Sequence, residues 1–217
     1  MPKQFDLLIF DWDGTLMDSA GVIVDSIQRA CEDIGLAAPS DRASRQIIGL
    51  GLIQALQTLL PDLPADDYPR LVERYRHHYL GRDADLPLFD GVASGIRELY
   101  DSGFTLAVAT GKSRLGLDRA LDASGLGHWF AATRCADQTH QAAPGHGAGA
   151  ARRTWRRPPR ALVIGDTSHD LLMASNAGVA SLGVTYGAHE AGDLHPHAPL
   201  ALMDSFVEVH AWLSANA

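Results

Sequence analysis

Leu7-Leu8-Ile9-Phe10-Asp11-Trp12-Asp13-Gly14-Thr15-Leu16 decides how this chain is read. Four apolar residues give way at once to two carboxylates at i and i+2, then a glycine and a hydroxyl residue. An apolar run of that length, cut off by polar residues, predicts a short buried strand. Alternation along an extended chain puts positions 11 and 13 on the same side. Two acids on one rim of a sheet, beside Gly14 whose backbone can approach a ligand, suit a magnesium ion and a phosphate. The bland alternative is an Asp-Gly turn that closes a strand.

The same kind of signal recurs. Strands are expected at Leu7-Phe10, Thr105-Ala109, Ala161-Ile164 and Ala180-Val184, and the first three run directly into polar or glycine residues. Helices are expected at about Gly91-Asp101, Leu115-Ser124, Asp170-Ala177 and Ser205-Leu213, with Gly103 and Gly178 placed as helix stops. Strands alternating with helices predict an α/β fold with a parallel sheet. Ligands in such sheets bind at the carboxyl ends of the strands. Between Asp18 and about Asp85 the strand signal disappears. Val22, Ile23, Ser26, Ile27 and Ala30 mark one helical face. Ile47, Ile48, Leu52, Ala55, Leu56 and Leu59 mark a second, and Leu71, Val72, Tyr75 and Tyr79 a third.

Bulk properties narrow the class. The composition, 46% hydrophobic and 20% charged, is that of an ordinary globule, and a length of 217 residues leads one to expect one domain plus an insert, or two small domains. A net charge of -8 argues against nonspecific binding to nucleic acid or a membrane surface. Two cysteines, Cys31 and Cys135, make no disulfide framework, so a cytoplasmic setting is expected. No signal-peptide pattern or bilayer-length apolar run is visible.

Asp-x-Asp-Gly-Thr-Leu after an apolar strand resembles the first motif of the haloacid dehalogenase-like hydrolases. That resemblance implies a Rossmann-like parallel sheet core, residues 1–17 and 86–217, with an inserted α-helical cap at 18–85. It implies Asp11 as nucleophile and Asp13 as general acid/base. Val108-Ala109-Thr110-Gly111-Lys112 resembles the second motif, whose hydroxyl binds a phosphoryl oxygen. Thr110, with Gly111 and Gly14, is thereby expected at the phosphate. Ile164-Gly165-Asp166-Thr167-Ser168-His169-Asp170 resembles the fourth motif, so Asp166 and Asp170 are expected at Mg2+, together with Asp11 and the backbone carbonyl of Asp13. Asp170 has a competing role at a helix N-terminus. An acid at position 13 separates the chain from the dehalogenases and the transport ATPases, and the wording of its motifs is closest to the phosphoglycolate phosphatase-like branch. His169 is read as a surface or supporting histidine, and His77-His78 as a solvated face. His189, His195 and His197 are weighed as a metal cluster and set aside for want of zinc-like spacing.

One part of the pattern is broken. The family carries a lysine in a third motif, and the chain has only Lys3 and Lys112. Neither stands at that place. Residues 141 to 159 instead read Gln-Ala-Ala-Pro-Gly-His-Gly-Ala-Gly-Ala-Ala-Arg-Arg-Thr-Trp-Arg-Arg-Pro-Pro, without an apolar stripe. Read one nucleotide forward, Gln141-Ala142 encodes only Lys or Arg, His146-Gly147 only Met or Thr, and Trp155 before a CGN codon only Gly. The remaining codons permit Lys-Pro-His-Pro-Ala-Met-Val-Leu-Glu-Leu-Leu-Asp-Glu-Leu-Gly-Val-Asp-Pro, an amphipathic helix with a glycine stop. A local frameshift is the hypothesis. The rival is a genuine arginine-rich loop that offers an anion patch. The nucleotide sequence across codons 138 to 162 decides between them.

The resemblance therefore implies a Mg2+-dependent phosphatase acting on a small phosphorylated metabolite, phosphoglycolate-like, through an aspartyl-phosphate. The alternatives are an impaired member lacking the third-motif lysine, and a phosphosugar mutase. A monomer or homodimer is expected. No nucleic acid or membrane partner is expected.

Overall fold

β1 (Leu7–Phe10) lies inside a six-stranded sheet of order β3-β2-β1-β4-β5-β6. The computed structural model describes residues 4–138 and 160–216, so residues 141 to 159 and the question of their reading frame lie outside the described residues. β1 pairs in parallel with β2 (Thr105–Thr110) on one side and β4 (Ala161–Gly165) on the other. β3 (Phe130–Cys135) extends the sheet beyond β2. β5 (Ala180–Val184) and β6 (Leu202–Met203) extend it beyond β4. Every pairing is parallel, as expected for an α/β fold. The chain turns from one side of β1 to the other, so the crevice at the carboxyl ends of β1, β2 and β4 is a topological switch point.

Parity along the strands sorts the core. Leu8, Phe10, Leu106, Val108, Leu162 and Ile164 belong to one buried cluster. Leu7, Ile9, Ala107, Ala109, Ala161 and Val163 belong to another on the opposite face. Helices α5 (Val92–Asp101), α6 (Arg114–Ser124) and α9 (Phe206–Asn216) cover the first face through Ile96, Leu117 and Phe206. Ala174 of α7 (Ser168–Asn176) packs on the second. A short α8 spans Ala191–Leu194. Among the described residues, no helix is long and apolar enough to cross a membrane.

Four helices separate β1 from α5: α1 (Ala20–Asp33), α2 (Asp41–Gln46), α3 (Leu52–Leu59) and α4 (Tyr68–Leu80). Ile23, Ile27, Leu56, Leu71 and Val72 form a hydrophobic cluster of their own, joined by Ala188 from the sheet side. The second helical face expected from Ile47 to Leu59 is not one helix. It breaks between Gln46 and Leu52, where Gly49 takes φ +95°. There Ile47 and Ile48 are buried from a loop, which apolar spacing alone does not distinguish from a helix.

The sequence also failed to predict β3 and β6. In β3 only Phe130 and Cys135 are buried, so this edge strand carries little apolar signal. β6 is two residues long. α7 begins at Ser168, two residues before the expected start, because Thr167 caps it and Asp170 returns the bond in a capping box.

Candidate active site

Asp11 follows the last residue of β1, and its N–H still donates to Ile164 O of β4 at 2.9 Å. This bond fixes the residue at the sheet rim. Asp166 follows β4 in the same way, and Asp170 stands in the first turn of α7. The three carboxylates are buried, and ligand oxygens from all three lie within 4.8 Å of one another. Such a cluster repels itself strongly in a low-dielectric site. Burial, followed by the charges of Asp170, Asp166 and Asp13, raises the Asp11 pKa well above the carboxylate range. Burial and the charge of Asp170 push Asp166 up to about 7. Asp170 is also raised by burial, against hydrogen bonds from Thr167.

The partners of these oxygens are uneven. Asp166 accepts from Thr15 Oγ1 at 2.9 Å and from Ala188 N at 2.7 Å. Asp170 Oδ2 accepts from Thr167 N at 3.1 Å and Thr167 Oγ1 at 2.7 Å. Both oxygens of Asp11 are buried and have no partner. A buried carboxylate left without donors, beside two more, fits a hard divalent cation, which takes oxygen ligands and offsets their charge. Gly14 closes this pocket with φ +88°, and a Cβ there would run into the Asp166 carboxylate. Glycine is therefore required twice over at this position.

Asp13 faces elsewhere. Its Oδ1 accepts from Ser19 Oγ at 2.6 Å and from Lys112 Nζ at 2.9 Å. The Lys112 side chain is only 8% exposed. Its Nζ also donates to the phenol of Tyr79 at 2.7 Å, and Tyr79 stacks on Tyr75 with ring centroids 5.7 Å apart. Burial pulls the Lys112 pKa down, but the charge and hydrogen bond of Asp13 outweigh it and leave the pKa raised. Burial and the charge of Asp13 raise the Tyr79 phenol, so it stays protonated.

Thr110 ends β2 and lines the cleft between the sheet and the helical insert. A Cβ on Gly111 would lie 2.5 Å from Gly49 O and 2.7 Å from Leu50 O, so glycine is needed for the insert to dock here. The cleft encloses about 800 Å³, and Asp11, Asp13, Thr110, Gly111 and Lys112 all line it.

Other sequence expectations land differently. His169 lies at the seam, with Nε2 3.0 Å from Gln46 O. His189 is buried while His195 is exposed, and the three-acid group Asp11, Asp166 and Asp170 is what the described residues assemble for a metal. His78 is not simply solvated, since its Nε2 sits 2.7 Å from Asp33 Oδ2. Sequence reasoning missed Lys112, Thr15, Ser19 and Tyr79 as site residues. Lys112 had one usable signal, its place directly after Thr110-Gly111 at a strand end.

Known proteins resemble this chain over most of its length. The family model described as haloacid dehalogenase-like hydrolase matches residues 8–184. A Dickeya dadantii protein named "Probable phosphatase IndB" is 36% identical over 97% of this chain and 96% of its own length. A phosphoglycolate phosphatase of Agrobacterium fabrum is 32% identical over 83% of this chain and 81% of its own. The solved structure of a predicted phosphoglycolate phosphatase from Haemophilus somnus 129pt superposes with a TM-score of 0.82 at 25% identity, covering 96% of this chain and 98% of that one. With its motif acids gathered at the switch point of the sheet, this chain belongs to the haloacid dehalogenase-like hydrolases.

Proposed function

We propose that this chain is a Mg2+-dependent phosphatase that hydrolyses a small phosphomonoester through an aspartyl-phosphate on Asp11. The observation that carries this reading is the pair of buried, partnerless Asp11 oxygens beside Asp166 and Asp170. One oxygen would ligate the cation, leaving the other to attack phosphorus. Asp166, Asp170 and the Asp13 backbone carbonyl would complete the protein's share of the metal ligands. The bound cation would draw charge from the phosphoryl oxygens.

The remaining steps belong to side chains. Thr110 Oγ1 donates to a phosphoryl oxygen, with Gly111 and Gly14 keeping the backbone close to it. Asp13 protonates the departing alkoxide and then takes a proton from the attacking water. Ser19 and Lys112 both engage Oδ1, which leaves Oδ2 as the oxygen that carries the proton. The helical insert closes over the site and keeps bulk water from the intermediate. Phosphoglycolate is the first substrate to assay, given the names of the relatives.

The impaired-member reading rested on a missing cation. Lys112 brings a buried ammonium to Asp13, which favours an active enzyme. The mutase reading draws no support from the two curated relatives described above, both named phosphatases. Release of inorganic phosphate from phosphoglycolate or another small phosphomonoester, in excess Mg2+, is the expected result for the purified chain. No release from any such ester by a folded, metal-loaded chain would overturn the proposal.

Lys112 gives a sharper expectation. Lys112→Met should lower kcat/KM by about 10²–10³-fold, since Asp13 would lose the ammonium that holds its Oδ1, and losing one electrostatic contact in an active site costs on that scale. Lys112→Arg should recover part of it, and circular dichroism should show both variants folded. Parental turnover in Lys112→Met would remove the lysine from the mechanism.

A further inference from the structure

Eight large apolar side chains are exposed among the described residues, and three of them, Ile53, Leu80 and Leu115, line the cleft. Leu115 is 67% exposed and Ile53 50%. They come from α6, α3 and α4, so apolar surface converges from both sides of the seam. The half-buried Leu50 and Leu52 line the same cleft as Asp11 and Thr110. An apolar patch continuous with a reaction centre marks a place for part of the ligand.

The charges of the cleft point the same way. A glycolate leaving group carries a second negative charge that would need a cation. Lys112 is held by Asp13 and Tyr79. Arg119 is paired with Asp83 at 3.0 Å. Arg76 lines the cleft but is exposed to water. The volume, about 800 Å³, is in the range that holds a drug-sized ligand and far more than a two-carbon acid fills.

We propose that the preferred substrate is a phosphomonoester whose leaving group has an uncharged apolar body of several carbons, seated on Leu50 and Leu52 and reaching Ile53 and Leu115, which are exposed along the same cleft. This specificity rests on the phosphatase reading above. The phosphoryl group occupies the Asp11 and Thr110 end, and the body takes the path to solvent. Glycolate phosphate would react while leaving that path empty.

The test is a series of n-alkyl phosphates from methyl to pentyl, with phosphoglycolate alongside, under saturating Mg2+. Their leaving alkoxides are of nearly equal basicity, so the series reports the contact made by each methylene. Complete burial of a methylene would raise kcat/KM up to about fourfold per step. We expect at least about tenfold between methyl and pentyl, with pentyl phosphate ahead of phosphoglycolate. Ile53→Ser and Leu115→Ser should flatten the series, bringing kcat/KM for pentyl phosphate down towards that for methyl phosphate. Both positions are exposed, so folding is preserved, and the thermal midpoint verifies it. A flat series with phosphoglycolate ahead overturns the apolar specificity and leaves the phosphatase reading intact. A steep series unchanged in both variants overturns the assignment to Ile53 and Leu115. No phosphate release from any ester removes the phosphatase reading and this proposal with it.

Discussion

Asp11→Asn is expected to reduce turnover about 10⁴–10⁶-fold, the scale on which loss of a covalent nucleophile is felt. The amide cannot form the mixed anhydride with phosphorus, and it is a poorer metal ligand. Its effect on the fold should run the other way. Asp11 is buried among Asp170, Asp166 and Asp13, and all three raise its pKa. Replacing it with a neutral isostere relieves that repulsion, so the metal-free variant should unfold at or above the parental temperature. Fresh protein is needed, because slow deamidation would regenerate the acid. Near-parental activity in Asp11→Asn, with the amide verified by mass spectrometry, would assign the nucleophile elsewhere.

Removing the metal is the second large effect. Excess EDTA should take phosphatase activity to background, and Mg2+ or Mn2+ should restore it, since Asp11, Asp166 and Asp170 offer only hard oxygen donors. A readout independent of turnover follows from the same carboxylates. Asp166 is pushed from 3.8 to about 7 in the folded chain. Between those values the folded state holds a proton that the unfolded state has released. Stability of the metal-free chain should therefore fall as the pH rises from about 4 towards 7. A bound cation offsets the same repulsion, so Mg2+ at about one hundred times its Kd should add about 2.7 kcal/mol at neutral pH. Full activity in excess chelator, with metal confirmed absent, would rule the acid cluster out as the metal site.

Local sequence carried the centre of the fold because the centre is simple. β1, β2, β4 and β5 are short apolar runs buried by the layers around them, and each shows as such in the chain. Strand ends then bring Asp11, Thr110 and Asp166 to one rim, since the carboxyl ends of neighbouring parallel strands lie side by side. The edges lacked that signal, as β3 shows with Thr133 and Arg134 in its middle. The break at Gly49 was invisible for a different reason. Ile47 and Ile48 keep the apolar content of a helix, and the turn is imposed by docking of Gly49 against Thr167, 118 residues away (167 minus 49).

Lys112 is the most instructive omission. The family's third motif places its lysine after the second motif, within the stretch that holds residues 141 to 159, whereas Lys112 of this chain directly follows Thr110-Gly111. Its partners, Asp13 and Tyr79, are 99 and 33 residues away in the chain. No local pattern joins those three positions. They meet because the carboxyl end of β2 and the last turns of α4 converge over β1.

The central claim is covalent chemistry at Asp11, and trapping the intermediate tests it most directly. The chain would be mixed with substrate bearing a radiolabelled phosphoryl group in the presence of Mg2+, quenched in acid during the first turnover, and mapped by peptide mass spectrometry. The expected result is a phosphoryl group on the peptide containing Asp11, discharged by hydroxylamine as an acyl phosphate is, and absent from Asp11→Asn. Turnover of the same substrate with no label on the protein, or with label on a residue other than Asp11, would contradict it.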